Sequence, residues 1–157
     1  MDLRLLKVSL PDGNIGQREI IYHPGAVAVV PILPGNKIVL VKQYRKAAEK
    51  IMLEIPAGTL ERGEKLLNCV HRELLEETGY KAKKIKKILH FYTAPGYTSE
   101  IIHIYKAEGL SFFGGKTDAD EFIKTEILSK NELKKLYKTG KIVDSKTLIA
   151  LMAVNLI

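Results

Sequence analysis

The chain has 157 residues, which points to one domain rather than two and to a core large enough to fold without disulfide or metal staples. Its 46% hydrophobic and 27% charged residues are ordinary for a globular protein, and no apolar run approaches the roughly 18 residues of a membrane span. The one cysteine, Cys69, excludes an internal disulfide and thiolate metal clusters, so a reducing, cytoplasmic setting is expected, and the net charge of +7 favours an anionic partner.

In chain order, the first residues carry no apolar h-region or small-residue cleavage site, which argues against a signal peptide. Residues 1–22 read as short strands around Pro11-Asp12-Gly13-Asn14. They are too few to fold alone and must dock on the body or on a partner subunit. Residues 25–33 form a β-branched run typical of a buried strand, and residues 37–45 form a second strand after Pro34-Gly35-Asn36, so the pair reads as a hairpin. In the loop 55–60, Gly58 lets backbone approach a ligand closely.

The clearest helix spans 64–78 and is stopped by Gly79. Lys81, Lys83, Lys84, Lys86 and Lys87 read as a solvated strand end whose charges discourage edge pairing. Strands are expected at 87–92, 100–106 and 122–128, with a glycine-rich loop over 109–120. Ser129 and Glu132 form a capping box for a short helix ending near Gly140. Asp144 caps a final helix whose apolar run, 148–157, packs on the sheet. The pattern is that of a mixed α/β sandwich.

Wound at about 100° per residue, the helix places Leu67, Val70 and Leu74 within about 60° of one another as its buried stripe. Glu77 falls inside the edge of that sector, between Leu66 and Val70, with Glu73 about 40° further round and Glu76 about 100° from Glu77. Three carboxylates share one flank, and no Lys or Arg of the helix lies at that angle to neutralise them. A generic acidic cluster of this kind is a solvated face, but Glu77 lies where water is thin. Desolvated carboxylates must protonate or bind cations. Oxygen-only ligands without imidazole or thiolate suit Mg²⁺ or Mn²⁺, which leave positions for water and substrate phosphate.

Gly58, Glu64, Arg72-Glu73-Leu74, Glu76-Glu77 and Gly79 together match the Nudix box, with Tyr80 in place of its closing aliphatic residue. The chain resembles the Nudix hydrolases. The resemblance implies an α/β Nudix fold, an α/β/α sandwich with a mixed β-sheet and short N-terminal strands, over residues 1–157 as a single domain. It implies Mg²⁺-dependent hydrolysis of a nucleoside diphosphate linked to another group. Glu73 and Glu77 would be the principal metal ligands, with Glu76 supporting and the Ala57 carbonyl contributing, and Arg72 would orient the glutamates.

Flanking segments resemble the ADP-ribose pyrophosphatase branch: Arg18-Glu19, His23 to Val27, Lys42-Gln43-Tyr44-Arg45, Leu53 to Gly58, Pro95, and Gly140 to Thr147. That branch implies ADP-ribose as the substrate, AMP and ribose 5-phosphate as products, and a homodimer in which N-terminal strands help form the partner's site. It also implies a glutamate base on a loop before a late strand; Glu121 aligns best, with Asp120 and Asp118 behind it.

Arg45 is the candidate phosphate clamp, because a guanidinium forks onto phosphate oxygens. Glu54 orders water or ligand near the metals or pairs with Arg45. Pro95, Tyr97 and Glu100 are candidate substrate contacts, Glu100 being equally readable as a surface residue. Tyr22, Tyr44 and Tyr97 can stack on adenine or serve as core and rim. His71, His90 and His103 show no paired ligand spacing and read as structural.

Tyr97, two residues past Pro95, resembles instead a marker of dinucleoside polyphosphate hydrolases, which form the second reading. A non-catalytic Nudix module binding RNA is the third. Lysine supplies twenty of the 25 cations and tryptophan is absent, whereas nucleic-acid readers lean on arginine forks and aromatic platforms.

Overall fold

The computed structural model describes residues 1–114 and 123–157. The first 22 residues make a hairpin of their own, β1 (Asp2–Ser9) antiparallel to β2 (Ile15–Tyr22), in register from Asp2 opposite Tyr22 to Ser9 opposite Ile15. Its turn uses Gly13 at φ 83° and an Asp12 side chain that accepts from the Asn14 N–H at 3.0 Å. The hairpin is tied to the body through Ile21, whose N–H donates to the Tyr97 carbonyl at 2.8 Å and whose carbonyl accepts from the Ser99 N–H at 3.0 Å. Leu3, Leu5 and Ile15 remain exposed.

Strand β3 (Ala26–Leu33) is buried on both faces over its first six residues, which is why it reads as a continuous apolar run and not as an alternation. It meets β4 (Lys37–Arg45) in the expected hairpin, but only at Ile32 opposite Ile38 and Leu33 opposite Lys37. Beyond that point the two strands part. β4 pairs with β5 (Lys50–Glu54), while β3 pairs with the short β6 (Ala57–Thr59). Helix α1 (Leu66–Thr78) follows, and Gly79 closes it in the left-handed conformation at φ 74°.

Strand β7 (Tyr80–Tyr92) starts directly after that cap, and β8 (Ile101–Phe112) returns beside it and runs parallel to β3. β9 (Lys124–Leu128) lies on β4. The main sheet is therefore mixed, in the order β5-β4-β3-β8-β7. Both β7 and β8 are longer than expected. Their pairing extends to Tyr80 opposite Phe112, and Gly109, expected in a loop, sits inside β8 at φ 66°. The lysine cluster thus lies within the edge strand itself, where it guards the open edge.

Side chains of β3 alternate between two cores. Val27 and Val29 face Cys69, Val70 and Leu74 of α1. Ala28 and Val30 face Leu133 of α2 (Lys130–Lys138) and Ala150 and Leu151 of α3 (Ser145–Ala153). The result is the expected α/β/α sandwich. Ser129 and Glu132 form the capping box of α2, and the Asp144 side chain accepts from the Thr147 N–H at 2.9 Å to cap α3. Among the described residues no helix is long and apolar enough to cross a membrane.

The stripe expected on α1 is displaced. Its buried residues are Cys69, Val70, Glu73, Leu74, Glu77 and Thr78, so the two carboxylates sit within the buried arc instead of at its border. Leu67 has the right angle but stands in the first turn and is 51% exposed; Leu60 and Leu66 cover that end of the core. Replacing Leu74 by Ala should therefore lower the urea-unfolding free energy by about 2–5 kcal/mol, and Leu67→Ala by less than about 1 kcal/mol. Equal losses in the two variants would reject this placement of the core.

Candidate active site

Helix α1 lies against β6 at one glycine. A Cβ on Gly58 would stand 1.8 Å from Glu73 Oε1, so only glycine lets this carboxylate rest on the strand. One turn on, Glu77 is fixed by the backbone, its Oε2 accepting from the Ala57 N–H at 3.0 Å. Glu73 and Glu77 are 8% and 6% exposed, whereas the Glu76 side chain is half exposed.

The expectation that no cation of the helix neutralises this flank is overturned. Arg72 leaves the helix at another angle, but its side chain is long enough to swing across. Its Nη1 donates to Glu73 Oε1 at 2.6 Å and to Glu76 Oε2 at 3.2 Å. Its Nε and Nη2 form a fork on Glu64 at 3.0 and 2.9 Å, and Nη2 also reaches the Thr59 carbonyl at 3.3 Å. Glu64 lies just before the helix, which begins at Leu66 and not at 64. The Arg72 fork pulls the Glu64 carboxyl down to about 2. Burial, reinforced by Glu64, pushes the Cys69 thiol up to about 12 and keeps it unreactive.

A second ionic cluster stands at the end of β4. Arg45 donates from Nε and Nη2 to the two carboxylate oxygens of Glu54 at 2.8 and 2.7 Å. Glu54 is 1% exposed and is also bonded by Lys146 Nζ, which donates to Asp144 Oδ1 at 3.0 Å as well. Burial works to raise the Glu54 carboxyl, but the Arg45 fork and Lys146 outweigh it and hold the group below its ordinary range. Lys146 carried no role in the sequence reading. Its signal was electrostatic: a lysine in the first turn of a helix opposes the macrodipole and calls for a compensating anion.

Two hollows open on either side of β6 and share Arg45, Ala57, Gly58 and Thr59 as their common wall. The acidic lobe, about 330 Å³, is lined further by Gln43, Glu61, Arg72, Glu73, Glu76 and Glu77. The second lobe, about 370 Å³, is lined by Thr93, Glu100, Ile102, Asp144, Ser145 and Lys146. Glu100 accepts from Thr93 Oγ1 at 2.8 Å and lies 3.5 Å from His23 Nε2.

Pro95 and Tyr97 stand between β7 and β8 and line neither lobe; Tyr97 is 58% exposed. Tyr22 packs under Arg4, whose guanidinium carbon is 4.7 Å from the ring centroid, and Tyr44 is exposed. His90 and His103, without paired spacing in sequence, face each other across β7 and β8 with ring centroids 5.6 Å apart. Glu121, Asp120 and Asp118 lie outside the described residues.

Among the described residues no three carboxylate, imidazole or thiolate groups converge closely enough to hold a metal ion. Glu73 and Glu77 are engaged by Arg72 and the Ala57 amide. The donor chemistry nevertheless suits a hard divalent cation: the acidic lobe offers only oxygen ligands, and the close approach at Gly58 brings a carboxylate and backbone together.

The family model for the NUDIX domain matches residues 22–150. An ADP-ribose pyrophosphatase of Bacillus subtilis is 44% identical over 99% of this chain and 85% of its own length. A methanol dehydrogenase activator of Bacillus methanolicus is 46% identical over 98% of this chain and 84% of its own. A solved structure titled as an ADP compounds hydrolase superposes with a TM-score of 0.85, covering 98% of this chain and 83% of that one at 22% identity, a likeness of fold.

Two outcomes follow from the geometry. In Gly58→Ala the new methyl should force Glu73 off β6; a variant structure with Glu73 still in place would refute the close-approach argument. For Glu64 the folded value near 2 lies below its ordinary 4.5. Its stabilising contribution is therefore complete above pH 4.5 and lost as pH falls towards 2. The melting-temperature gap between wild type and Glu64→Gln should shrink across that window, and a gap independent of pH would contradict it.

Proposed function

The chain belongs to the NUDIX family, and on that premise we propose that it hydrolyses the pyrophosphate of ADP-ribose to AMP and ribose 5-phosphate, with Mg²⁺, or Mn²⁺ in its place, as cofactor. The observation that carries this reading is the acidic lobe, in which two buried carboxylates and the edge of an arginine fork line one cavity. The near full-length likeness to a protein named ADP-ribose pyrophosphatase supports the choice of substrate.

A pyrophosphate diester carries two negative charges that repel a hydroxide-like nucleophile. Glu73, Glu76, Glu77 and the Ala57 carbonyl would hold the metal, which supplies charge neutralisation and activation of water when bound. Arg72 keeps Glu73 and Glu76 aligned, and the Ala57 N–H fixes the Glu77 carboxylate. Arg45, at the wall between the lobes, turns the N–H groups not used by Glu54 towards phosphate oxygens. Thr93, Ser145 and Glu100 give the second lobe the hydroxyl and carboxylate groups that sugar hydroxyls bond. Glu121 is the proposed base, with Asp120 and Asp118 behind it.

Pro95 and Tyr97 line neither lobe, so the preference for ADP-ribose over dinucleoside polyphosphates rests on the likeness to a protein named ADP-ribose pyrophosphatase. We read residues 1–157 as a single cytoplasmic domain that works as a homodimer. The exposed Leu3, Leu5 and Ile15 offer a second copy an apolar face.

With ADP-ribose and Mg²⁺, chromatography should resolve AMP and ribose 5-phosphate in equal amounts, and a chelator should abolish turnover. Glu77→Gln should lose at least about 100-fold in kcat/KM. Retention of activity within about threefold would remove Glu77 from the metal site. Intact ADP-ribose beside a cleaved diadenosine polyphosphate would replace the substrate.

A further inference from the structure

We infer that Lys146 is a positioning residue: through Glu54 it holds the Arg45 guanidinium at the wall between the two lobes, with its outward N–H edge presented to a substrate phosphate. The inference rests on the reading of Arg45 as the phosphate contact. It assigns the means by which Arg45 is aimed.

The first ground is the placement of charge. Lys146 is 8% exposed and Glu54 1%, and replacing a buried ion pair by apolar residues commonly leaves a protein as stable or more so. Burying this one is therefore poorly explained by stability alone. The second ground is that α3 does not need Lys146 to dock. The Asp144 side chain caps it through the Thr147 N–H and hydroxyl at 2.9 and 2.6 Å, and Thr147 Oγ1 accepts from the Ile55 N–H at 2.9 Å. These bonds fix the first turn beside Glu54 on their own, yet a lysine is set there against the helix dipole.

The third ground is the hydrogen bonding of Glu54. Lys146 adds a second cation to the carboxylate that Arg45 forks, and Asp144, whose two oxygens take Lys146 and Thr147, balances that charge, so the four groups sum to zero and what Lys146 contributes is position. Bidentate contact from Arg45 and a third bond from Lys146 also leave Glu54 little freedom to rotate.

The test uses the full chain as K146M, K146R, R45M and R45M/K146M, with K146Q standing in if K146M loses its cooperative thermal transition. ADP-ribose turnover in Mg²⁺ and calorimetric binding of ADP are read separately. K146M should raise KM and weaken ADP binding about tenfold while kcat changes far less. K146R should restore most of the loss, and the double variant should match R45M alone, because Lys146 acts through Arg45.

A K146M defect that multiplies with that of R45M would overturn the inference. So would unchanged KM and ADP affinity, or loss of folding in both K146M and K146Q. If wild type leaves ADP-ribose intact, the proposed activity fails, while the ADP cycle still decides the role of Lys146. Wild type that binds no ADP overturns both.

Discussion

The close approach of α1 to β6 at Gly58 is the constraint on which the site depends. Glycine removes the Cβ that would meet the Glu73 carboxylate at 1.8 Å, and α1 can then carry two glutamates inside its buried arc. Ionised carboxylates at that depth need partners, and two nearby sources supply them: the Ala57 N–H of the same short strand and the swung-over Arg72. Widening the gap between helix and strand would strand both carboxylates. Packing and electrostatics are thus one problem here, solved by the absence of a single methyl group.

Charge compensation recurs on the other side of β6 with different parts. Around Arg72 one guanidinium serves three carboxylates, Glu64, Glu73 and Glu76. Around Glu54 one carboxylate serves two cations, Arg45 and Lys146. The acidic excess therefore lies in one lobe, while at the wall beside it Asp144 completes a balanced set of two cations and two carboxylates. A substrate with a doubly charged pyrophosphate between two sugars meets both, since its phosphates need cations on the carboxylate side and donors at the wall.

Much of this was legible in the sequence, for reasons that differ by element. The hairpin, the two caps and the sandwich rest on local chemistry, the Pro34-Gly35-Asn36 turn, the Ser129 box and Asp144, and local chemistry is what a sequence displays. The spacing of Glu73, Glu76 and Glu77 exposed the anomalous helix. Angles taken at the backbone do not show where side chains end, so they miss the Arg72 bridge, which the family resemblance alone implied, and they assign Leu67 to a stripe that the first turn leaves in water. The Glu54–Lys146 contact joins residues 92 positions apart, and His90 meets His103 only through the β7–β8 register. No spacing rule reports either, because both are created by tertiary pairing.

The chain as a whole is strongly cationic, yet its candidate site is floored by glutamates. The +7 net charge, with lysines along the β7 edge, creates a far field that draws phosphorylated solutes towards the molecule. Close to the acidic lobe the sign reverses, and a bare diphosphate would be repelled by Glu73, Glu76 and Glu77. Under the proposed function an anion settles there with cations that arrive with it or already occupy the carboxylates, and the site would then select phosphate groups accompanied by a divalent ion. Arg45 is the one part of the common wall whose charge keeps the same sign as the far field, which is the physical ground for proposing it as the phosphate contact.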